Sequence, residues 1–92
     1  MTIEWDERKN RINIKKHKIR FEHAALVFKD PLRKEYYDAE HSSLGEDRTI
    51  AIGFADTSIL FVSFTESESE TIHIISARRA KKHEMEDYNG NR

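Results

Sequence analysis

The start of the chain combines a short β-prone segment with a polar helical stretch. The segment "TIEW" favours a strand, and Asp6 directly after it is a typical helix N-cap. From Glu7 to about His17 the residues are polar helix formers, and Ile12 is the expected buried anchor. The pattern predicts a strand followed by a helix.

A second, shorter helix is predicted next. Its apolar residues recur at i, i+3, i+4 and i+7, which is the spacing of one helical face: Phe21, Ala24, Ala25 and Phe28. Pro31, the only proline, ends this helix. Both phenylalanines are expected in the core.

Four strands are predicted next, and the third of them is apolar on both faces, which favours a central place in the sheet. They cover Leu32–Asp38, Arg48–Phe54, Ser58–Thr65 and Thr71–Ser76. The polar loop "DAEHSSLGED" joins the first two, and the short turns "ADTS" and "ESESE" join the others, which favours an antiparallel meander. A last helix is predicted from about Arg78 to Tyr88, with Ser76 as its cap. The order predicts an α+β fold in a single domain over residues 1–92, with a short N-terminal strand, two helices, a four-stranded meander and a C-terminal helix.

Composition narrows the class of protein. The chain lacks cysteine, which excludes disulfides and thiolate metal sites. No stretch approaches the roughly 20 apolar residues of a membrane-spanning helix, and the charged N-terminus has no signal-peptide pattern. The sequence therefore indicates a cytoplasmic protein without a membrane partner.

Charge is unevenly distributed along the chain. The net charge is only -1, but residues 1–29 carry +4, residues 30–70 carry -7 and residues 71–92 carry +2. If the two basic ends meet in the fold, they form a local positive surface.

Two groups of cations are candidates for anion binding. One follows the last strand: Arg78, Arg79, Lys81 and Lys82. The other comprises three basic residues and one asparagine on a single face of the first helix: Lys9, Lys16, His17 and Asn13. Each group is either a phosphate-binding surface or an ordinary solvated face. Arg78, expected near a helix N-terminus, either binds phosphate or pairs with a carboxylate such as Glu84 or Glu46.

Four separated pieces of the chain resemble one protein family. They are "EWDERKNRINIKKHKIRFEHAALVFKDP", the loop at Asp38, "EDRTIAIG" and "IHIISARRAKKHEMEDY". Within them, the patterns "WD..KN..N..KH", "F..A..VF.DP" and "IISAR.A...E...Y" are specific. The chain resembles the BrnT toxins of bacterial type II toxin–antitoxin systems over nearly its full length.

The resemblance implies a compact RelE-like fold and a ribonuclease that cuts messenger RNA and arrests growth. It also implies an antitoxin partner, BrnA, with a ribbon-helix-helix DNA-binding domain. Operator DNA would then be bound only through the antitoxin, in a complex that represses its own operon.

Metal-independent RNA cleavage needs cations around the phosphate and groups that move protons. For the phosphate we expect Arg78, then Arg48 and Lys9, because guanidinium groups keep their charge and contact two oxygens. For proton transfer we expect His73, with Glu46 as a carboxylate alternative. Four further residues are expected to contact RNA or the partner: Lys16, His17, Arg79 and Lys82. The five histidines lack zinc-site spacing, so neither a metal nor another cofactor is expected.

Two positions depart from the family pattern. Ser67 and His73 stand where members of that family usually carry arginine. The departures favour an alternative hypothesis, in which the chain is a weakly active or inactive antitoxin-binding module that acts mainly in operon repression.

Overall fold

The computed structural model of the chain describes residues 1–90. Its elements are β1 (Thr2–Trp5), α1 (Glu7–His17), α2 (Phe21–Ala24) with a 3₁₀ turn (Ala25–Lys29), β2 (Lys34–Tyr37), β3 (Thr49–Ala55), β4 (Ser58–Glu66), β5 (Thr71–Arg79) and α3 (Lys82–Gly90). The strands form one mixed sheet in the order β1-β5-β4-β3-β2. β1 runs parallel to β5, and the other neighbouring pairs are antiparallel. The predicted α+β class is confirmed. Within residues 1–90 no helix is both long and apolar enough to cross a membrane.

The ends of α1 follow the capping signals in the sequence. The Asp6 carboxylate accepts the backbone N–H of Arg8 at 2.8 Å and of Lys9 at 3.3 Å. At the other end Lys18 adopts a left-handed conformation, and its N–H donates to the Ile14 carbonyl at 2.8 Å. The predicted bounds of this helix are confirmed.

The buried face of α1 is polar, which corrects one prediction. Ile12 was expected as the anchor but is 56% exposed, whereas Asn10 and Asn13 are buried. The Asn13 amide donates to the Ala77 carbonyl at 2.8 Å and accepts the Ala77 N–H at 3.0 Å. β1 pairs with β5 only as far as Ile74. Asn13 therefore satisfies backbone groups of an edge that β1 leaves open, and this explains why an amide occupies the buried position.

Two apolar clusters lie on opposite faces of the sheet. The larger one, under α1, α2 and the 3₁₀ turn, contains Ile19, Phe21, Ala24, Val27, Phe28, Ala51, Ala55, Leu60, Val62, Phe64, Ile72, Ile74 and Ala77. The smaller one, under α3, contains Ile50, Ile52 and Tyr88, with Ile59 and Phe61 packed against it. The second face is thus only partly covered, and its remainder is accessible.

The boundary between β5 and α3 differs from the prediction. We expected the strand to end at Ser76 and the helix to begin near Arg78, but the strand continues to Arg79 and the helix begins at Lys82. Arg78 and Arg79 lie opposite Phe61 and Leu60 of the central strand β4. Pairing with that strand outweighs the helix propensity of the "ARRAKK" segment.

A β-bulge in β5 decides which way its later side chains point. Ser63 of β4 lies opposite Ser76, but the next residue, Phe64, lies opposite Ile74, so Ile75 is an extra residue. The insertion shifts the alternation by one position. Ala77 therefore shares the helix-covered face with Ile74, and Arg78 lies on the other face.

Candidate active site

An open groove occupies the part of the second face that α3 leaves accessible. It has a volume of about 510 Å³ and is lined by Tyr36, Asp38, Glu40, His41, Arg48, Ile50, Phe61, Ser63, Ser76, Arg78, Lys81 and Glu84. These residues come from β2, the loop after it, β3, β4, β5 and the start of α3. Most of these side chains are polar or charged, in contrast to the opposite face.

Arg78 is held in the groove by three contacts. Its guanidinium carbon lies 3.9 Å from the centre of the Phe61 ring. Nη1 and Nη2 each donate to a carboxylate oxygen of Glu84 at 2.9 Å, and Nη1 also donates to the Arg79 carbonyl at 3.1 Å. Of the two alternatives for Arg78, the carboxylate pair is present and Glu84 is the partner. The predicted position near a helix N-terminus is wrong, because Arg78 lies within β5.

Glu84 connects Arg78 to the beginning of α3. Its Oε1 accepts the backbone N–H of Lys81 at 2.7 Å, which caps the first turn of the helix. Burial raises the pKa of this carboxyl, but the hydrogen bonds from Arg78 and Lys81 and the charges of Arg78 and His83 outweigh burial, so the pKa is lowered. Glu84 is therefore ionised in the neutral range and fixes the orientation of Arg78.

The pair leaves one edge of the Arg78 guanidinium without a hydrogen-bond partner among residues 1–90. A guanidinium has five N–H groups, and Glu84 and the Arg79 carbonyl use three of them, all on Nη1 and Nη2. Among the described residues, Nε–H and the second hydrogen of Nη2 have no hydrogen-bond partner. These two hydrogens form the side-on fork of the guanidinium, which fits two oxygens of one phosphate.

Arg48 is the second guanidinium of the groove. Its Nε donates to Glu46 Oε1 at 2.8 Å, and Glu46 itself lies outside the groove. Within residues 1–90 the Nη1 and Nη2 groups of Arg48 have no hydrogen-bond partner. Each of the two groove arginines thus retains N–H groups for an anion.

Comparison with known proteins agrees with this architecture. A model of the family described as "Ribonuclease toxin, BrnT, of type II toxin-antitoxin system" matches residues 5–84. The chain belongs to this family. The crystal structure of the Brucella abortus ribonuclease toxin BrnT is similar, with a TM-score of 0.69 and 34% identity over 89% of this chain and 99% of that one. No match was found among curated proteins.

The match to the BrnT family covers the whole groove. Its lining residues run from Tyr36 to Glu84, and the matched range ends at Glu84. The chain is therefore, by family, a ribonuclease toxin of a type II toxin–antitoxin system.

The other predicted catalytic residues lie outside the groove. His73 faces Glu4 on β1, with His73 Nδ1 3.5 Å from Glu4 Oε2. Its Cα lies roughly 15 Å from that of Arg78 along β5, from the strand rise per residue. Lys9 is exposed on α1 and is not a lining residue. The structure therefore brings together Arg78 and Arg48 in the groove and places Glu46 against Arg48 without lining the groove, whereas Lys9 and His73 lie elsewhere.

Of the four predicted contact residues, His17 is the one whose pKa is shown to respond to the charge of Arg78. Burial, the charge of Lys16 and the charge of Arg78 all lower the pKa of His17, so its imidazole tends to be neutral. Arg79 donates to Ser58 Oγ at 3.0 Å, and both residues line a pocket other than the groove. Lys16 and Lys82 are exposed.

Several groove residues were not identified from the sequence as site residues. The Asp38 loop was noted only as a family feature, and Tyr36 only as part of a strand. Burial and the charges of Glu84 and Asp87 raise the pKa of Tyr36, which keeps its hydroxyl protonated. Ser63 and Ser76 lie opposite each other across β4 and β5. Two small polar residues within otherwise apolar strands were the available signal for a polar surface.

In the part of the chain that the structure describes, no group of three or more His, Cys, Asp or Glu residues is arranged to hold a metal ion.

Proposed function

We propose that this chain is an endoribonuclease that cleaves messenger RNA and arrests growth, with the groove as its active site. The observation that carries the proposal is that Arg48 and Arg78 line one groove and each retains unpaired N–H groups. RNA can be cleaved by attack of its own 2′-hydroxyl on the adjacent phosphate, so the protein has to supply charge stabilisation and proton transfer. The proposed reaction needs no metal.

Arg78 is the proposed ligand of the scissile phosphate. Glu84 binds the end-on fork of the guanidinium, and the Phe61 ring supports its face. The side-on fork then points its two N–H groups in a fixed direction before RNA arrives. Such preorganised donors stabilise the developing charge without reorganisation during the reaction. Arg48 is proposed to contact a second phosphate oxygen or the neighbouring phosphate.

Membership of a type II toxin–antitoxin family supports a protein antitoxin as the partner. We propose that a BrnA-like antitoxin with a ribbon-helix-helix domain neutralises the toxin by covering the groove, and that operator DNA is bound only through it. Lys16, His17, Arg79 and Lys82 are proposed as outer contacts for RNA or antitoxin. Because messenger RNA is the substrate, the proposed location is the cytoplasm.

The test is expression of the chain alone from a tightly controlled promoter, with growth and intact messenger RNA followed over time. Wild type and Arg11→Ala, which removes an exposed arginine of α1, are expected to arrest growth and to deplete RNA. Arg78→Lys keeps a positive charge beside Glu84 but lacks the fork. We expect purified Arg78→Lys to cleave RNA about 100-fold more slowly, the effect of losing a preorganised oxyanion donor.

Two observations complete this test. Wild-type cleavage is expected to be unchanged by EDTA, and the thermal unfolding of Arg78→Lys has to show that the variant is folded. Normal growth with intact RNA, from folded wild-type protein, would remove the nuclease proposal. Full activity of Arg78→Lys would remove Arg78 from the site.

A second candidate function is an antitoxin-binding module with little nuclease activity. It is favoured by the fact that both groove arginines are paired with carboxylates, Arg78 with Glu84 and Arg48 with Glu46. Ser67 and His73, which replace arginines of the family pattern, support it less, because neither lines the groove. Antitoxin binding without growth arrest would favour this candidate.

A further inference from the structure

The loop between β2 and β3 carries a histidine–carboxylate pair at the groove. His41 Nδ1 lies 2.9 Å from Asp38 Oδ2, and both residues line the groove together with Arg48 and Arg78. The two side chains differ in accessibility, since that of Asp38 is 15% exposed and that of His41 is 61% exposed. The carboxylate is thus covered by the loop while the imidazole faces the open space.

Hydrogen bonds between the beginning and the end of the loop hold this pair in place. The other Asp38 oxygen, Oδ1, accepts the His41 backbone N–H at 3.3 Å. Ser42 Oγ donates to the Asp38 carbonyl at 2.7 Å and accepts the Arg48 N–H at 2.9 Å. The Asp38 N–H donates to the Arg48 carbonyl at 2.9 Å. The imidazole is therefore fixed relative to the backbone of a groove arginine.

The carboxylate also determines the tautomer of the imidazole. A carboxylate only accepts hydrogen bonds, so the proton of the neutral ring is on Nδ1. Nε2 then carries a lone pair, and within residues 1–90 no side chain or backbone group donates to it. An imidazole whose Nδ1–H is held by a carboxylate and whose Nε2 is free is positioned to accept a proton.

We propose that His41 is the general base of the RNA cleavage reaction and that Asp38 is its positioning residue. The inference rests on the proposed function and adds the group that takes the 2′ proton. The 2′-hydroxyl proton passes to His41 Nε2 as the 2′-oxygen forms a bond to phosphorus. The bond from phosphorus to the 5′-oxygen breaks, the 5′-oxygen leaves with the electron pair and takes a proton from water, and the products are a 2′,3′-cyclic phosphate and a 5′-hydroxyl. His41 then returns its proton to water.

Two other histidines were singled out on sequence grounds, His73 for proton transfer and His17 for contact with RNA or the partner. His73 lies outside the groove and faces Glu4 instead. His17 is affected by the charge of Arg78 but is not a lining residue. Among the described histidines, His41 alone lines the groove.

The first test compares purified His41→Ala with wild type and with His83→Ala, which removes an exposed histidine of α3. His41→Ala is expected to cleave RNA at least about 100-fold more slowly, the range for loss of a general base, while His83→Ala keeps the wild-type rate. Because the side chain of His41 is exposed, its loss should leave the thermal unfolding temperature nearly unchanged. Asp38→Asn has one acceptor oxygen, and when that oxygen accepts the His41 backbone N–H the amide NH2 faces Nδ1 and cannot accept from it, so the rate should fall at least about tenfold.

The pH profile separates a catalytic role from a structural one. A general base at His41 gives the wild-type pH–rate profile an acidic limb, and this limb should be absent in the residual activity of His41→Ala. The charged or titratable groups that line the groove with His41 are Tyr36, Asp38, Glu40, Arg48, Arg78, Lys81 and Glu84. All of them are retained in His41→Ala, so loss of the limb assigns it to the imidazole.

A substrate with sulfur in place of the 5′-bridging oxygen separates base from acid, because a thiolate leaves without protonation. A general-base defect persists with this substrate, and a general-acid defect disappears. A persistent defect supports the proposal. A defect that disappears, a normal rate for His41→Ala, or a defect found only in His17→Ala or His73→Ala would overturn it while leaving the nuclease proposal intact. RNA left uncut by wild type would overturn the proposed function itself and this inference with it.

Discussion

The two faces of the sheet differ in what their side chains do. On the helix-covered face, α1, α2 and the 3₁₀ turn enclose a continuous apolar cluster that includes Phe28 and Phe64, whose ring centres lie 4.9 Å apart in an edge-to-face contact. On the groove face, the apolar cluster around Ile50 and Ile52 is much smaller. Beside it lie the ion pairs and polar side chains of the groove.

The difference indicates a division of roles between the faces. Burial of apolar surface on one face supplies the larger part of the folding free energy. The other face keeps charged groups that contribute little to folding but are oriented by each other, as Arg78 is by Glu84. Substitutions on the helix-covered face should therefore act on stability, and substitutions in the groove on activity.

The largest expected effect on stability tests the helix-covered face. Phe64→Ala removes a ring that is 1% exposed, and we expect it to lower the free energy of unfolding by about 4 kcal/mol through lost burial and a cavity. Phe54→Ala on the neighbouring strand is the matched control, because Phe54 is 46% exposed and should cost less than about 1 kcal/mol. Urea unfolding measures both. Equal losses would contradict the proposed difference between buried and exposed positions.

A second, smaller effect concerns a polar group within the same face. Asn13→Ala leaves the Ala77 N–H and carbonyl and the Ile19 carbonyl without their amide partner. We expect a loss of about 3 kcal/mol, because buried backbone groups without partners are costly. Ile12→Ala, one residue earlier and exposed, should change stability by less than about 0.5 kcal/mol. If Ile12→Ala proved the more damaging change, then Ile12 and not Asn13 would anchor α1 on the sheet.

Much of the fold was predictable because its signals are local. The cap at Asp6, the end of α1 and the alternation along β3, β4 and the first part of β5 all depend on neighbouring residues. The parallel pairing of β1 with β5 was not predictable, because the two strands are far apart in the sequence and meet only through tertiary packing. The same is true of Asn13, whose partner Ala77 is distant in sequence.

The site was only partly predictable, for a comparable reason. Arg78 and Arg48 were chosen for their chemistry, but one inserted residue, Ile75, decides that Arg78 faces the groove. A strict alternation with Ile72 and Ile74 would have turned it toward the core. The pair of Asp38 and His41 lies in a loop without periodicity, so only the folded loop shows that their side chains meet.

The smallest expected effect tests the ion pair of the groove through pH. The folded-state pKa of Glu84 is lowered, because its hydrogen bonds and the charge of Arg78 outweigh burial. Glu84 therefore stabilises the protein fully above the ordinary glutamate pKa of about 4.3, and this contribution is lost as the pH falls from there through the lower folded-state value. Glu22 and His17 also have lowered pKa values, so wild-type stability should fall on acidification for more than one reason.

Glu84→Gln isolates the groove contribution. The glutamine amide still accepts hydrogen bonds but does not titrate. Glu22 and His17 are the same in the variant as in wild type. Between pH 7 and pH 3 the free energy of unfolding of wild type should therefore decrease more than that of Glu84→Gln, and the two curves should converge at the acidic end. Parallel curves would mean that the pair of Arg78 and Glu84 contributes nothing to folding, and that the groove face serves orientation alone.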